Sequence, residues 1–112
     1  MEILEKVKLI HNAAIDKKAL DPVILHVEYL AKITDYFVIY TAGNTIHAQA
    51  IANTILEKLE EKGITPLHLE GYRDSLWILI DYGEVVVHVM LREIREYYLL
   101  EKLWGDAPRL NL

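Results

Sequence analysis

The chain has 112 residues, 53% hydrophobic and 26% charged, with no cysteine and a net charge of −5. At roughly 100–200 residues per domain this is one globular domain, residues 1–112, without disulfides, thiolate metal sites or a Cys nucleophile, suited to a reducing, cytoplasmic compartment. The acidic balance lacks the basic field of nonspecific nucleic-acid binding and favours a basic partner; no apolar run reaches the ~20 residues of a membrane span, and MEILEKVKLI is too charged for a signal peptide.

Residues 3–15 place Ile3, Val7, Ile10 and Ala14 at helical spacing, with Glu2, Glu5, Lys6 and Lys8 on the other face. This predicts an amphipathic helix, ended by the segment running to Pro22. Val23–Tyr29 alternates Val23, Leu25 and Val27 with Ile24, His26 and Glu28, the pattern of a half-buried strand. Tyr36–Thr41 is apolar on both faces and reads as a central strand. Gly43, Asn44 and Thr45 turn the chain and offer an N-cap. The next helix carries Ile51, Ile55 and Leu59 on one row and Ala48, Ala52 and Leu56 on the adjoining one, and Gly63 sits where a left-handed C-cap belongs.

Strands are predicted at 67–72, 76–81 and 85–91, antiparallel because short loops join them. The last helix, over about 92–104, has Ile94, Tyr97, Tyr98, Leu100 and Trp104 in register, and Gly105 and Pro108 stop it. The order α-β-β-α-β-β-β-α is that of an α+β or mixed α/β domain. It has about five strands, with helices mainly on one face and part of the other face open.

That open face is the most informative feature. Alternation turns Trp77, Leu79 and Asp81 away from Ile78 and Ile80, and turns Val86, His88 and Met90 away from Val85, Val87 and Val89. Together with His68 and Glu70 they form a mixed aromatic, aliphatic and polar patch of the kind found in protein interfaces. The bland alternative is cover by the C-terminal helix or by a second copy of the chain.

Catalytic readings are weak. Alternation lets His26, His68 and His88 share a face, but their spacing is not that of metal ligands, so no metal is expected. Thr41–Thr45 before a helix lacks a glycine-rich phosphate fingerprint. Asp35 and Asp81 form no Asp-x-Asp pair for nucleotidyl transfer. No Ser or Thr stands in a nucleophile setting. Neither enzyme activity nor a cofactor is expected, the alternative being a nucleotidyltransferase-like protein with residual nucleotide binding.

Three stretches carry a family resemblance. They are Asp35–Ile39 with Gly43 and His47; Glu70-Gly71 with Trp77–Val89; and Arg95–Tyr98 with Leu100-Glu101 and Leu103–Pro108. The chain resembles the ribosomal silencing factor family (RsfS, also called Iojap) from about residue 5 to 109. The resemblance implies a nucleotidyltransferase-like fold stripped of its catalytic residues. It implies binding to the large ribosomal subunit through that subunit's protein number fourteen, and obstruction of small-subunit joining that lowers translation when nutrients are scarce. Organelle relatives are linked to large-subunit assembly, and free members are often dimers. The contact surface it implies is Trp77, Leu79, Asp81 and Tyr98, with Glu70 and His88 in support.

Overall fold

The computed structural model describes residues 1–28, 34–98, 102 and 107–112. The elements are α1 (Ile3–Asp16), β1 (Leu20–His26), β2 (Tyr36–Ala42), α2 (Thr45–Glu60), β3 (His68–Glu70), β4 (Trp77–Asp81), β5 (Val85–Leu91) and α3 (Arg92–Tyr98). The strands form one mixed sheet in the order β1-β2-β5-β4-β3, with β2 and β5 parallel and the other neighbours antiparallel. The expected mixed α/β class and five strands are therefore what the chain forms.

The apolar rows of α1 and α2 pack on one sheet face. Val7, Ile10 and Ala14 of α1, and Ala48, Ile51, Ala52, Ile55 and Leu59 of α2, meet Ile24, Val38, Tyr40, Ile78, Ile80, Val87 and Val89. Asn44 caps α2, its Oδ1 accepting the His47 backbone N–H at 2.8 Å. The His47 ring then bridges two elements: its Nδ1 accepts from the Gly43 N–H at 2.9 Å and its Nε2 donates to the Lys17 carbonyl at 2.8 Å. The β2–α2 turn is thus tied to the end of α1. Two of its N–H groups are spent internally, as the N-cap reading of this turn requires.

The second face carries a smaller core of Leu25, Val27, Ile39, Met90 and Ala107, with Phe37, Trp77 and Ile94 packed against it. Here α3 lies over β2 and the central strand β5. Arg95 is buried, and its Nη1 donates to Thr41 Oγ1 at 3.0 Å and to the Asp21 carbonyl. Arg92 adds an ion pair to the Asp21 carboxylate at 3.2 Å. The segment 107–110 runs along β1: His26 N–H donates to the Pro108 carbonyl and Leu110 N–H to the Ile24 carbonyl. This covers the edge that β1 would otherwise present.

Several sequence expectations shift. β1 begins at Leu20, not Val23, because Leu20 pairs with Thr41 across a register shift in which Asp21 takes φ +46°. Its two faces are both buried at Ile24 and Leu25, since cover exists on both sides of the sheet. Lys6, expected on the solvent side of α1, is buried and reaches Glu84 at 3.0 Å. β3 is three exposed residues and not six, because Gly71 turns out of the strand at φ +74°. The part of the last helix predicted beyond Tyr98, including Leu100, Trp104 and Gly105, lies outside the described residues, as does Tyr29.

Gly71 is needed for two reasons. It holds a backbone conformation that L side chains rarely adopt, and a Cβ there would come within 1.9 Å of the Trp77 carbonyl oxygen. Gly71→Ala should therefore destabilise the fold by about 2 kcal/mol or more. Urea unfolding checks this, and an unchanged midpoint contradicts it.

Candidate functional site

The antiparallel registers place the second face in rows. Glu70 lies opposite Leu79, and Leu79 opposite His88; His68 lies opposite Asp81, and Asp81 opposite Val86; Trp77 lies opposite Met90. Parallel pairing then sets His88 beside Ile39 and Val86 beside Phe37. α3 lies over β2 and β5 and touches β4 through Tyr98, and exposure increases across these rows towards β3. Met90 and Ile39 are fully buried, Trp77, Leu79 and Asp81 are half-buried, and Glu70 and His68 are exposed.

Rings connect the interior to the surface. Phe37 meets His88 edge-on at 5.3 Å between centroids, and His88 meets Trp77 at 5.9 Å. Trp77 meets Tyr98 at 4.9 Å, and Tyr98 meets Tyr97 at 5.0 Å. Tyr98 and Tyr97 are 53% and 80% exposed. Such spacings are those of favourable aromatic pairs. Beside this row, Glu70, Gly71, Trp77 and Leu79 line an open groove of about 320 Å³.

The site residues expected from the sequence thus divide. Trp77, Leu79, Glu70 and Tyr98 come together on the uncovered end of the sheet. Asp81 is adjacent, but its Oδ1 accepts the Gly83 N–H at 2.8 Å and so caps the β4–β5 turn. His88 corrects the expected patch. It is 5% exposed, beneath Trp77, and is support for the surface and not part of it. Met90 is likewise sealed, by pairing with Trp77 and packing in the same core as Ile94. Val86 remains half-buried.

The shared-face idea for three histidines fails for a geometric reason. His26 stacks on Tyr36, on the face of Ile24 and Val38, whereas His88 faces the other way beside Ile39. Among the described residues no group of three His, Asp or Glu side chains is placed to hold a metal ion. No described helix is long and apolar enough to cross a membrane.

The Trp77–His88 contact is a hydrogen bond: indole Nε1–H donates to His88 Nδ1 at 3.0 Å. Sequence reasoning placed both residues on one face but missed this pairing. The diagonal between a residue and the neighbour of its cross-strand partner was the available signal. Since the indole can only donate, Nδ1 is bare and the neutral ring carries its proton on Nε2. That Nε2–H is buried without an acceptor among the described residues.

The model of the family described as "Ribosomal silencing factor during starvation" matches residues 1–112. The chain belongs to the ribosomal silencing factor (RsfS) family. Within that family it is 44% identical over 108 residues to the ribosomal silencing factor RsfS of Halalkalibacterium halodurans, covering 96% of this chain and 92% of the relative. It is also 34% identical over 91 residues to a Mus musculus protein named mitochondrial assembly of ribosomal large subunit protein 1, covering 79% of this chain and 40% of that one. A crystal structure of a Chromobacterium violaceum protein superposes with a TM-score of 0.91 at 38% identity, covering 94% of this chain and 88% of that one. The resemblance in the three sequence stretches is therefore a true family relationship, and this RsfS-family sheet is shared with a solved relative.

Burial pushes the His88 imidazole from its ordinary 6.5 down to about 4, and also lowers His11. The folded state then binds fewer protons than the unfolded chain below pH 6.5. The stabilisation from a neutral His88 is complete above that pH and is lost as pH falls towards 4. At about 1.4 kcal/mol per pK unit, some 2–3 kcal/mol should disappear by about pH 4.5. Denaturant unfolding at several pH values, compared between the wild type and His88→Leu, checks this. Equal pH slopes for the two proteins contradict it.

Proposed function

We propose that this protein docks on the large ribosomal subunit through that subunit's ribosomal protein number fourteen and, once bound, obstructs joining of the small subunit. Family membership supports a ribosomal setting. The observation that carries the docking surface is the half-open Trp77, braced between Tyr98 and His88 beside a groove rimmed by Glu70 on an incompletely covered sheet.

The chemistry fits a basic protein partner. A chain of net charge −5 that must approach a polyanionic particle gains by meeting a cationic protein on it. Trp77 and Tyr98 supply large apolar contacts at low entropic cost, and Leu79 fills the floor between them. Glu70 and Asp81 pair with Lys or Arg at the rim, which tunes encounter rate and specificity more than residence. A standard interface takes ~800 Å² per partner, roughly an eighth of the 6544 Å² surface of this domain. The open end of the sheet plus the outer face of α3 can offer that. Nothing further is required: the bound domain occupies volume that the small subunit needs. The action is by bulk, without catalysis or cofactor, in the cytoplasm.

A second reading is assistance in large-subunit assembly, favoured by the name of the mouse relative. The same docking surface serves both, and the two differ only in the consequence of binding. Self-association of the free protein through this face is compatible with either. In that case raising protein concentration should reduce the ribosome-bound fraction per chain.

Trp77→Ala should weaken binding to large subunits by about 2 kcal/mol or more while the protein stays folded. Co-sedimentation with purified large subunits measures this, and full retention by a folded variant refutes the docking role. In a sucrose gradient, the wild-type protein should shift mixed subunits away from the joined particle, and Trp77→Ala should not. Undisturbed joining with the wild-type protein bound would leave assembly as the function.

A further inference from the structure

The Trp77–His88 pair raises a question of design. His88 sits 5% exposed beside Ile39, Phe37 and Leu79, in largely apolar surroundings. The histidine instead keeps a buried Nε2–H with no acceptor among the described residues, which an apolar side chain would not carry. Stability alone does not account for it. What the ring supplies that an aliphatic side chain cannot is an acceptor at Nδ1, aimed at the indole Nε1–H of Trp77 at 3.0 Å.

We propose that His88 is a positioning residue for docking: its Nδ1 holds the Trp77 indole in the orientation a protein partner engages, at a cost in fold stability. This rests on the docking reading of Trp77 above. A half-buried tryptophan on a sheet face can rotate about two side-chain bonds. Here one edge is held by His88 and one flank by Tyr98, so the remaining surface faces the groove with Glu70 and Leu79. An indole already fixed loses less freedom on binding, and the affinity gained comes from that saving and not from a new contact. His88 itself touches no partner, which sets it apart from the residues around it.

Variants of one residue separate this role from simple packing. His88→Leu removes the acceptor and the unpaired donor together. His88→Asn keeps an acceptor oxygen near the place of Nδ1. His88→Phe keeps a ring without an acceptor and replaces His88→Leu if that variant fails to fold. Trp77→Phe identifies the Trp77 indole signal in a ¹⁵N–¹H spectrum of a protein with two tryptophans.

In His88→Leu the Trp77 indole N–H signal should move upfield and exchange faster with water. The thermal midpoint at pH 7 should be unchanged or higher, and the Kd for large subunits should rise tenfold or more. His88→Asn should stay within about threefold of the wild type in binding. An unmoved indole signal in both acceptor-free variants overturns the inference. So does wild-type affinity in a folded His88→Leu protein whose Trp77→Ala counterpart binds poorly. If Trp77→Ala binds at full strength, the docking reading fails by itself, and the indole signal still decides whether His88 positions the ring.

Discussion

The antiparallel register of β4 against β5 is the constraint on which both faces of this domain depend. Pairing Ile78 with Val89 and Ile80 with Val87 sends four aliphatic side chains under α1 and α2. The same register necessarily sends Trp77, Leu79 and His88 to the opposite face. A slip of β4 by one residue would turn Trp77 and Leu79 beneath the helices and send Ile78 and Ile80 to the opposite face. Burial of the aliphatic set resists that slip. At roughly 1.5–3 kcal/mol for each fully buried aliphatic side chain, the register is strongly specified. The Trp77 face is thus held in place by the core behind it.

What keeps the second face half open is the position of α3. The described part of α3, Arg92–Tyr98, is held by tertiary contacts. Ile94 provides apolar packing, and Arg95 provides direction, with one guanidinium nitrogen reaching both the Thr41 hydroxyl and the Asp21 carbonyl. The positive φ at Asp21 and the register shift beside it present that carbonyl. With the helix held over β2 and β5, Tyr98, one turn after Arg95, reaches Trp77 without sealing it. A single buried cation therefore links an irregularity in an edge strand to the exposure of an aromatic ring on the far side of the sheet.

Much of this was legible in the sequence because it follows from period and punctuation. The alternation of β4 and β5, the rows of α2, the Asn44 cap and the left-handed Gly63 are local signals that tertiary structure did not override. The three matching stretches made the family legible as well. What was not legible depends on which element covers which. Lys6 lies on the polar side of α1 by pattern, yet is buried because Glu84 at the β4–β5 turn comes within 3.0 Å. Met90 and His88 belong to the open face by alternation, yet α3 and Trp77 close over them. Alternation assigns a side chain to a face; it does not say how far along that face the cover extends. The hydrogen bond from Trp77 to His88 was hidden for the same reason, since it needs the strand register and not only the pattern within each strand.

The family-matching residues Gly43 and His47 lie at the β2–α2 turn, where the structure gives them a task in the scaffold. His47 closes the turn after β2 by accepting from Gly43 and anchors it to α1 through the Lys17 carbonyl. β2 is the strand that pairs in parallel with β5, so fixing its end fixes the level at which His88 meets Ile39 and Phe37 flanks the ring. Both histidines use the same tautomer, Nδ1 accepting, for opposite ends. His47 stabilises a connection at the surface, while His88 is buried with its Nε2–H unpaired among the described residues. One histidine thus ties a turn to a neighbouring helix, and the other accepts from the Trp77 indole on the opposite face of the sheet.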